Sequence, residues 1–217
     1  MLTITKSFKF PSTVEAIDNS HIHIKAPLSN LEAYTNRKSY TSIMLQAVCD
    51  SRMDVLDVSV GWPGSMHDAR IFRLSQVGKK LEREGLHTYH ILGDSAYPLK
   101  PYLIVPFRDN GFLTPEEKHF NLQHSASRCI IERAFARLKG KFRWLKYLDM
   151  DKYDLMGSVI IAACVLHNYI IEHASETTDD VGDDDDDPVP PAACRTLRVQ
   201  LRVQRHQELK DRRNFFI

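Results

Sequence analysis

Residues 14 to 24 alternate in character. Val14, Ala16, Ile22 and Ile24 share one parity, the pattern of a strand that buries one face. Asp18 falls on that parity, so the strand aims a carboxylate at its apolar side. Such a group is costly unless a cation or a hydrogen bond meets it. Two β-rich runs follow at residues 40 to 49 and 53 to 60, split by Asp50-Ser51-Arg52, which predicts a hairpin. Trp62-Pro63-Gly64-Ser65 breaks the pattern. A helix is then expected over 68 to 84, with Ile71, Phe72, Val77 and Leu81 facing inward, Ser65 or Asp68 as cap and Gly85 as stop. Residues 88 to 93 predict a further strand ending at Asp94. Leu103-Ile104-Val105, between Pro101 and Pro106, predicts a short fifth.

The second half reads as helical. Thr114-Pro115-Glu116-Glu117 carries a capping residue, Pro at the first helical position and acids in the first turn. An amphipathic helix is expected over 127 to 146 and a buried one over 153 to 173. Residues 155 to 171 are apolar enough to suggest a membrane span, but Gly157, Ser158, His167 and Asn168 favour a core helix. The order β-β-β-α-β-(β)-α-α implies an α/β domain with a mixed sheet covered by helices.

Composition changes this picture mainly at the C-terminal end. The 217 residues, 43% hydrophobic and 26% charged, suit one soluble domain with a sizeable core. The net charge of +1 averages a basic body and an acidic run: residues 172 to 187 hold nine acids and no Lys or Arg. With Pro188, Pro190 and Pro191 behind it, this run predicts a disordered linker over 174–193. A basic tail over 194–217 follows, with helical spacing at Leu197 and Leu201. The folded domain is thus expected at 1–173. Four scattered cysteines without a Cys-x-x-Cys pair read as free thiols, and residues 1 to 10 lack the apolar stretch of a signal peptide.

The candidate chemistry lies in three acids: strand carboxylate Asp18, strand-end carboxylate Asp94 and helix carboxylate Glu132. On the expected helix, Ile131, Ala134, Phe135, Leu138, Phe142 and Leu145 form one stripe. Glu132 sits on its flank with Arg128, Lys139, Arg143 and Lys146. Three carboxylates suit a pair of Mg²⁺ or Mn²⁺ ions flanking a scissile phosphate, with the flanking cations on neighbouring DNA phosphates. The plainer alternative is an Arg128–Glu132 ion pair at i, i+4. Asp68 is a fourth candidate, as metal ligand or helix cap. His21-x-His23 places two rings on one strand face, as in some zinc hydrolases, but opposite Asp18.

Several motifs together resemble one family. They are Ala16-Ile17-Asp18-Asn19-Ser20-His21-Ile22, Asn36-Arg37-Lys38-Ser39-Tyr40, Gln46-Ala47-Val48-Cys49-Asp50, Gly61-Trp62-Pro63-Gly64-Ser65-Met66-His67-Asp68, Leu92-Gly93-Asp94-Ser95-Ala96-Tyr97-Pro98-Leu99, Ile131-Glu132-Arg133-Ala134-Phe135-Ala136-Arg137-Leu138-Lys139-Gly140 and Cys164-Val165-Leu166-His167-Asn168. In this order, over about residues 8 to 173, the chain resembles the DDE domain of PIF/Harbinger transposases and of Harbinger transposase-derived nucleases. The resemblance implies an RNase H-like fold and a divalent-metal DNA nuclease, with Asp18, Asp94 and Glu132 as ligands and Asp68 counted with the metal site. It implies DNA and a separate Myb-like DNA-binding protein as partners and the nucleus as location, with the cytoplasm and a homo-oligomer left open and no membrane. The family usually begins with a helix-turn-helix region and none fits before Phe8, so a truncated copy or an incomplete chain is expected. Glu15 stands where Gly is usual, and Pro106-Phe107-Arg108 departs from the usual loop. A catalytically inactive remnant that binds DNA or protein is the alternative function.

Overall fold

The computed structural model describes residues 10–27 and 30–174. The expected linker and tail lie outside them. The central strand, β1 (Thr13–Ile24), pairs antiparallel with β2 (Ser42–Cys49) and parallel with β4 (His90–Leu92). With β3 (Val55–Pro63) and β5 (Leu103–Ile104) the strand order is β3-β2-β1-β4-β5, and the two-residue strand β6 (Tyr147–Leu148) pairs parallel with the end of β1. The expected mixed sheet is therefore present, and it has the strand arrangement of an RNase H-like α/β fold.

Helices cover both faces. On one lie α4 (Pro115–Lys141) and α5 (Tyr153–Ala174), packed on Ala16, Ile22, Ile24, Leu45 and Ala47. On the other, α2 (Asp68–Leu74) and α3 (Gln76–Glu84) bring Phe72 and Leu81 against Ile17, Val48 and Ile91. Neighbouring strand residues thus feed different clusters, as alternation requires. Val14 is a correction: it packs with the second cluster, because the β1–β4 register shifts between Thr13 and Glu15.

Several boundaries differ from expectation for local reasons. The single helix over 68 to 84 is two, because Ser75 turns extended (φ −68°, ψ 158°), ends α2 and caps α3 by accepting from Gly78 N at 3.1 Å. The residue that caps α2 is His67, whose Nδ1 accepts from Ala69 N, so neither Ser65 nor Asp68 is the cap. β3 runs on through Trp62 and Pro63; Pro63 costs no ladder bond because β3 is an edge strand. Gly64 follows where a Cβ would meet Ser42 Oγ at 2.2 Å and Tyr34 O at 2.7 Å. The Thr114 cap forms as expected, with a reciprocal Glu117 bond. The helix it starts is continuous to Lys141, and Arg143–Lys146 form a separate 3₁₀ turn. A four-residue helix, α1 (Leu31–Tyr34), precedes β2.

α5 buries Met156, Ile160, Ile161, Ala163 and Cys164 on one side, as expected of a core helix, while Leu155, Ala162, Leu166 and Tyr169 on the other are exposed. Its Asn168 acts as a surrogate strand neighbour: Oδ1 accepts from Val55 N at 2.8 Å and Nδ2 donates to Val55 O at 2.7 Å. His167 Nε2 lies 3.1 Å from Met53 O. The His167-Asn168 motif therefore fastens α5 to the β2–β3 turn, satisfying backbone groups that would otherwise be orphaned.

Glu15, on β1, is held above the usual carboxylate range, at about 7, first by burial and then by Asp50 and Asp57, with Lys80 opposing. A carboxyl whose folded pKa is raised stabilises the fold below its unfolded pKa and loses that contribution as pH rises through the folded value. Charged Glu15 thus burdens the fold above about pH 7. Glu15→Gln is expected to raise stability at pH 8 by about 1–3 kcal/mol, a gain that fades below about pH 4.5. Urea melts at both pH values check this; an equal effect at both would refute it.

Candidate active site

The site grows from the middle of β1. Asp18 shares its face with Ala16 and Ile22, so it points toward α4. Arg128, on α4, reaches it: Nη1 donates to Asp18 Oδ2 at 2.8 Å, and Nη2 of the same guanidinium donates to Glu132 Oε1 at 2.5 Å. Arg128 and Asp18 are both only 17% exposed, whereas Glu132 is 56% exposed. One buried cation thus bridges the first and third expected ligands, and the i, i+4 pair is present.

Asp94 comes close through the parallel β1–β4 ladder. Ala16 and Leu92 are the last partners of the ladder; Asp18 lies two residues further along β1 and Asp94 two residues past the end of β4. Just beyond β4 the chain turns, and Asp94 Oδ1 accepts from Ala96 N at 3.0 Å. Asp68 opens α2 on the other face, where its Oδ1 accepts from Asn19 Nδ2 at 2.7 Å. Asn19 N also donates to Asp18 Oδ1 at 2.7 Å, so Asn19 links the two acids across β1.

The electrostatics report crowding. The Asp18 carboxyl is pushed up to about 6, first by burial; Arg128 and the Asn19 N–H oppose, while Asp94 and Asp68 raise it further. Tyr97, buried below them, is also pushed up, by burial and by Asp18, Asp68 and Asp94. Its hydroxyl meets Gln46 Nε2 at 3.4 Å. Asn19 and Gln46 are direct partners across β1–β2. Their side-chain oxygens, Asn19 Oδ1 and Gln46 Oε1, are buried with no hydrogen-bond partner among the described residues. Hard oxygen donors in electrostatic excess fit a divalent cation. Among the described residues no three His, Cys, Asp or Glu side chains yet converge on one ion position. Arg128 lies between two of the three expected ligands instead.

The other expected cations separate. Lys139 Nζ turns inward and donates to Ser20 Oγ at 2.7 Å and His21 O at 2.8 Å; burial lowers its pKa. Arg143 and Lys146 are exposed on the 3₁₀ turn. His21 and His23 do not share a metal site: His21 Nδ1 lies 3.0 Å from Ser42 Oγ, and His23 packs between Tyr40 and Tyr147. Sequence reasoning missed Asn19, Gln46 and Tyr97, although all three lie within the motifs quoted above; only the tertiary pairing reveals their place.

A family model described as DDE superfamily endonuclease matches residues 17–168. Among curated proteins, the chain is 35% identical over 173 residues to each of two proteins named "Putative nuclease HARBI1", from Bos taurus and Homo sapiens. Those alignments cover 76% of this chain and 48% of the relative. It is 34% identical over 188 residues to "Protein ALP1-like" of Arabidopsis thaliana, covering 78% of this chain and 46% of the relative. The chain spans about half the length of these relatives. No solved structure matches. The chain belongs to the DDE superfamily endonuclease family and is of Harbinger transposase-derived type.

Proposed function

We propose that this domain is a divalent-metal-dependent nuclease of transposase origin that cleaves DNA phosphodiester bonds, with Asp18, Asp94 and Glu132 as its metal ligands. The observation that carries this reading is the largely buried Asp18 carboxyl, close enough to Asp94 to feel its charge and tied to Glu132 through one arginine. Mg²⁺ or Mn²⁺ held there would supply Lewis acidity at the scissile phosphate and lower the pKa of the attacking water. The protein's own groups prepare the place. Burial and the neighbouring acids make Asp18 a strong cation seeker, and Asn19 fixes its orientation from the adjacent backbone. Glu132, half in solvent, has room to leave Arg128 and turn inward. Arg128, once released, has a guanidinium suited to a phosphate oxygen. Asp68 adds charge to the same field while one of its oxygens holds Asn19.

DNA is the proposed partner. The family resemblance supports a Myb-like protein as a second, and nuclear location with it. The alternative is a catalytically inactive remnant that binds DNA or protein, and the Arg128 bridge favours it to the extent that it keeps the ligands apart. Full-length protein incubated with supercoiled plasmid and Mg²⁺ or Mn²⁺ is expected to nick it, and EDTA to stop the reaction. No nicking by folded protein with either ion would favour the remnant.

A further inference from the structure

We propose that the aromatic cluster of Tyr40, His23 and Tyr147 at the far end of β1, with exposed Trp144 on the adjoining turn, is a stacking platform for unpaired bases of DNA. This rests on the nuclease reading above only for where the platform lies relative to cleavage. His23 is the centre of a ring cluster. Its ring lies 4.9 Å from that of Tyr40 and 4.8 Å from that of Tyr147, which is its partner in the β1–β6 ladder. Tyr147 is 47% exposed and Trp144 40% exposed, although both belong to a segment anchored by fully buried Leu145 and by Leu148. Trp144 lies on the 3₁₀ turn that leads directly into Tyr147, with its ring 6.1 Å from that of Phe142.

Charge selects the occupant. Arg143 and Lys146 lie on the 3₁₀ turn, beside Trp144 and just before Tyr147, and are exposed. Of the acids that follow, Asp149 and Asp151, Asp151 is paired with Lys25 at 2.8 Å. Exposed aromatics interleaved with cations recognise nucleic acid by base stacking beside phosphate contacts, and stacking needs bases freed from a duplex. Distance makes the arrangement useful. Five strand residues separate Asp18 from His23, roughly 17 Å of chain, or about five stacked nucleotides at about 3.4 Å each. His23 has the opposite parity to Asp18, so DNA with a scissile phosphate near Asp18 would pass round the end of the strand and reach the platform with an unpaired stretch of at least about that length.

The test measures binding, not cleavage. Full-length protein is titrated without metal against a labelled duplex and against the same duplex carrying about five unpaired nucleotides, read by anisotropy. The unpaired probe is expected to bind at least about tenfold more tightly, from stacking of one or two bases. Trp144→Ala and Tyr147→Ala should each remove most of that preference, and Tyr147→Phe should keep it. Unchanged affinity of all variants for the plain duplex shows that they are folded. Equal binding of both probes by the unsubstituted protein, or a preference that survives Trp144→Ala with Tyr147→Ala, would overturn the platform. A preference of the expected kind in a protein that never cleaves DNA would leave the platform standing and sink the nuclease reading; cleavage without the preference would do the reverse.

Discussion

Asp18→Asn is expected to reduce metal-dependent DNA cleavage by at least about 10³-fold, about 4 kcal/mol of transition-state stabilisation, without unfolding the protein. Asp18 lies near Asp94, just past the end of β4, and shares Arg128 with Glu132, so in the proposed site its charge is the one next to both other acids. An amide keeps the shape and can still accept from Asn19 N. It removes a charge that burial disfavours, as the elevated carboxyl shows, so the fold has little to lose. Arg128 keeps Glu132 as partner. Plasmid nicking and thermal melting of the same preparation check the two halves together. Cleavage retained within about tenfold of the parent would remove Asp18 from the site.

Lys139→Ala is expected to cost about 2–3 kcal/mol of stability, since a half-buried charged donor serves two acceptors on β1. The sequence places Lys139 with Arg143 and Lys146 on one flank, as a phosphate contact. In the fold its ammonium is spent on Ser20 and His21, and it pins the last turn of α4 to the strand that carries Asp18. Arg143→Ala and Lys146→Ala, on exposed positions, should leave stability within about 0.5 kcal/mol and each reduce the salt dependence of DNA binding by about one unit of slope. Denaturant melts with salt titrations separate these roles. A stable Lys139→Ala protein with weakened DNA binding would restore the phosphate assignment.

Some strand parity, one cap and one stop were legible in the sequence because each is decided within a few residues, while Val14 and the cap of α2 were not. Asp18 on the apolar parity, the Thr114 capping box and the Gly85 stop all appear as read. What depends on distant partners was not. The break at Ser75 comes from a single extended residue inside a pattern that reads as helical throughout. The two-residue β6 exists only because β1 offers it an edge. α5 is apolar on both sides, so hydropathy could not tell buried Met156 and Ile160 from exposed Leu155 and Leu166. For the site, the order of the acids and the Arg128–Glu132 pair at i, i+4 were readable; the reach of the same arginine to Asp18 was not, because it depends on how α4 packs on β1.

The most direct test of the central claim is a crystal structure of the full-length protein grown with Mn²⁺, with the ion located by its anomalous signal. The account predicts Mn²⁺ bound by Asp18 and Asp94 oxygens at about 2.0–2.3 Å, Glu132 turned inward and Arg128 withdrawn from Asp18. Mn²⁺ bound elsewhere, or absent at saturating concentration with the Asp18–Arg128–Glu132 bridge intact, would contradict it.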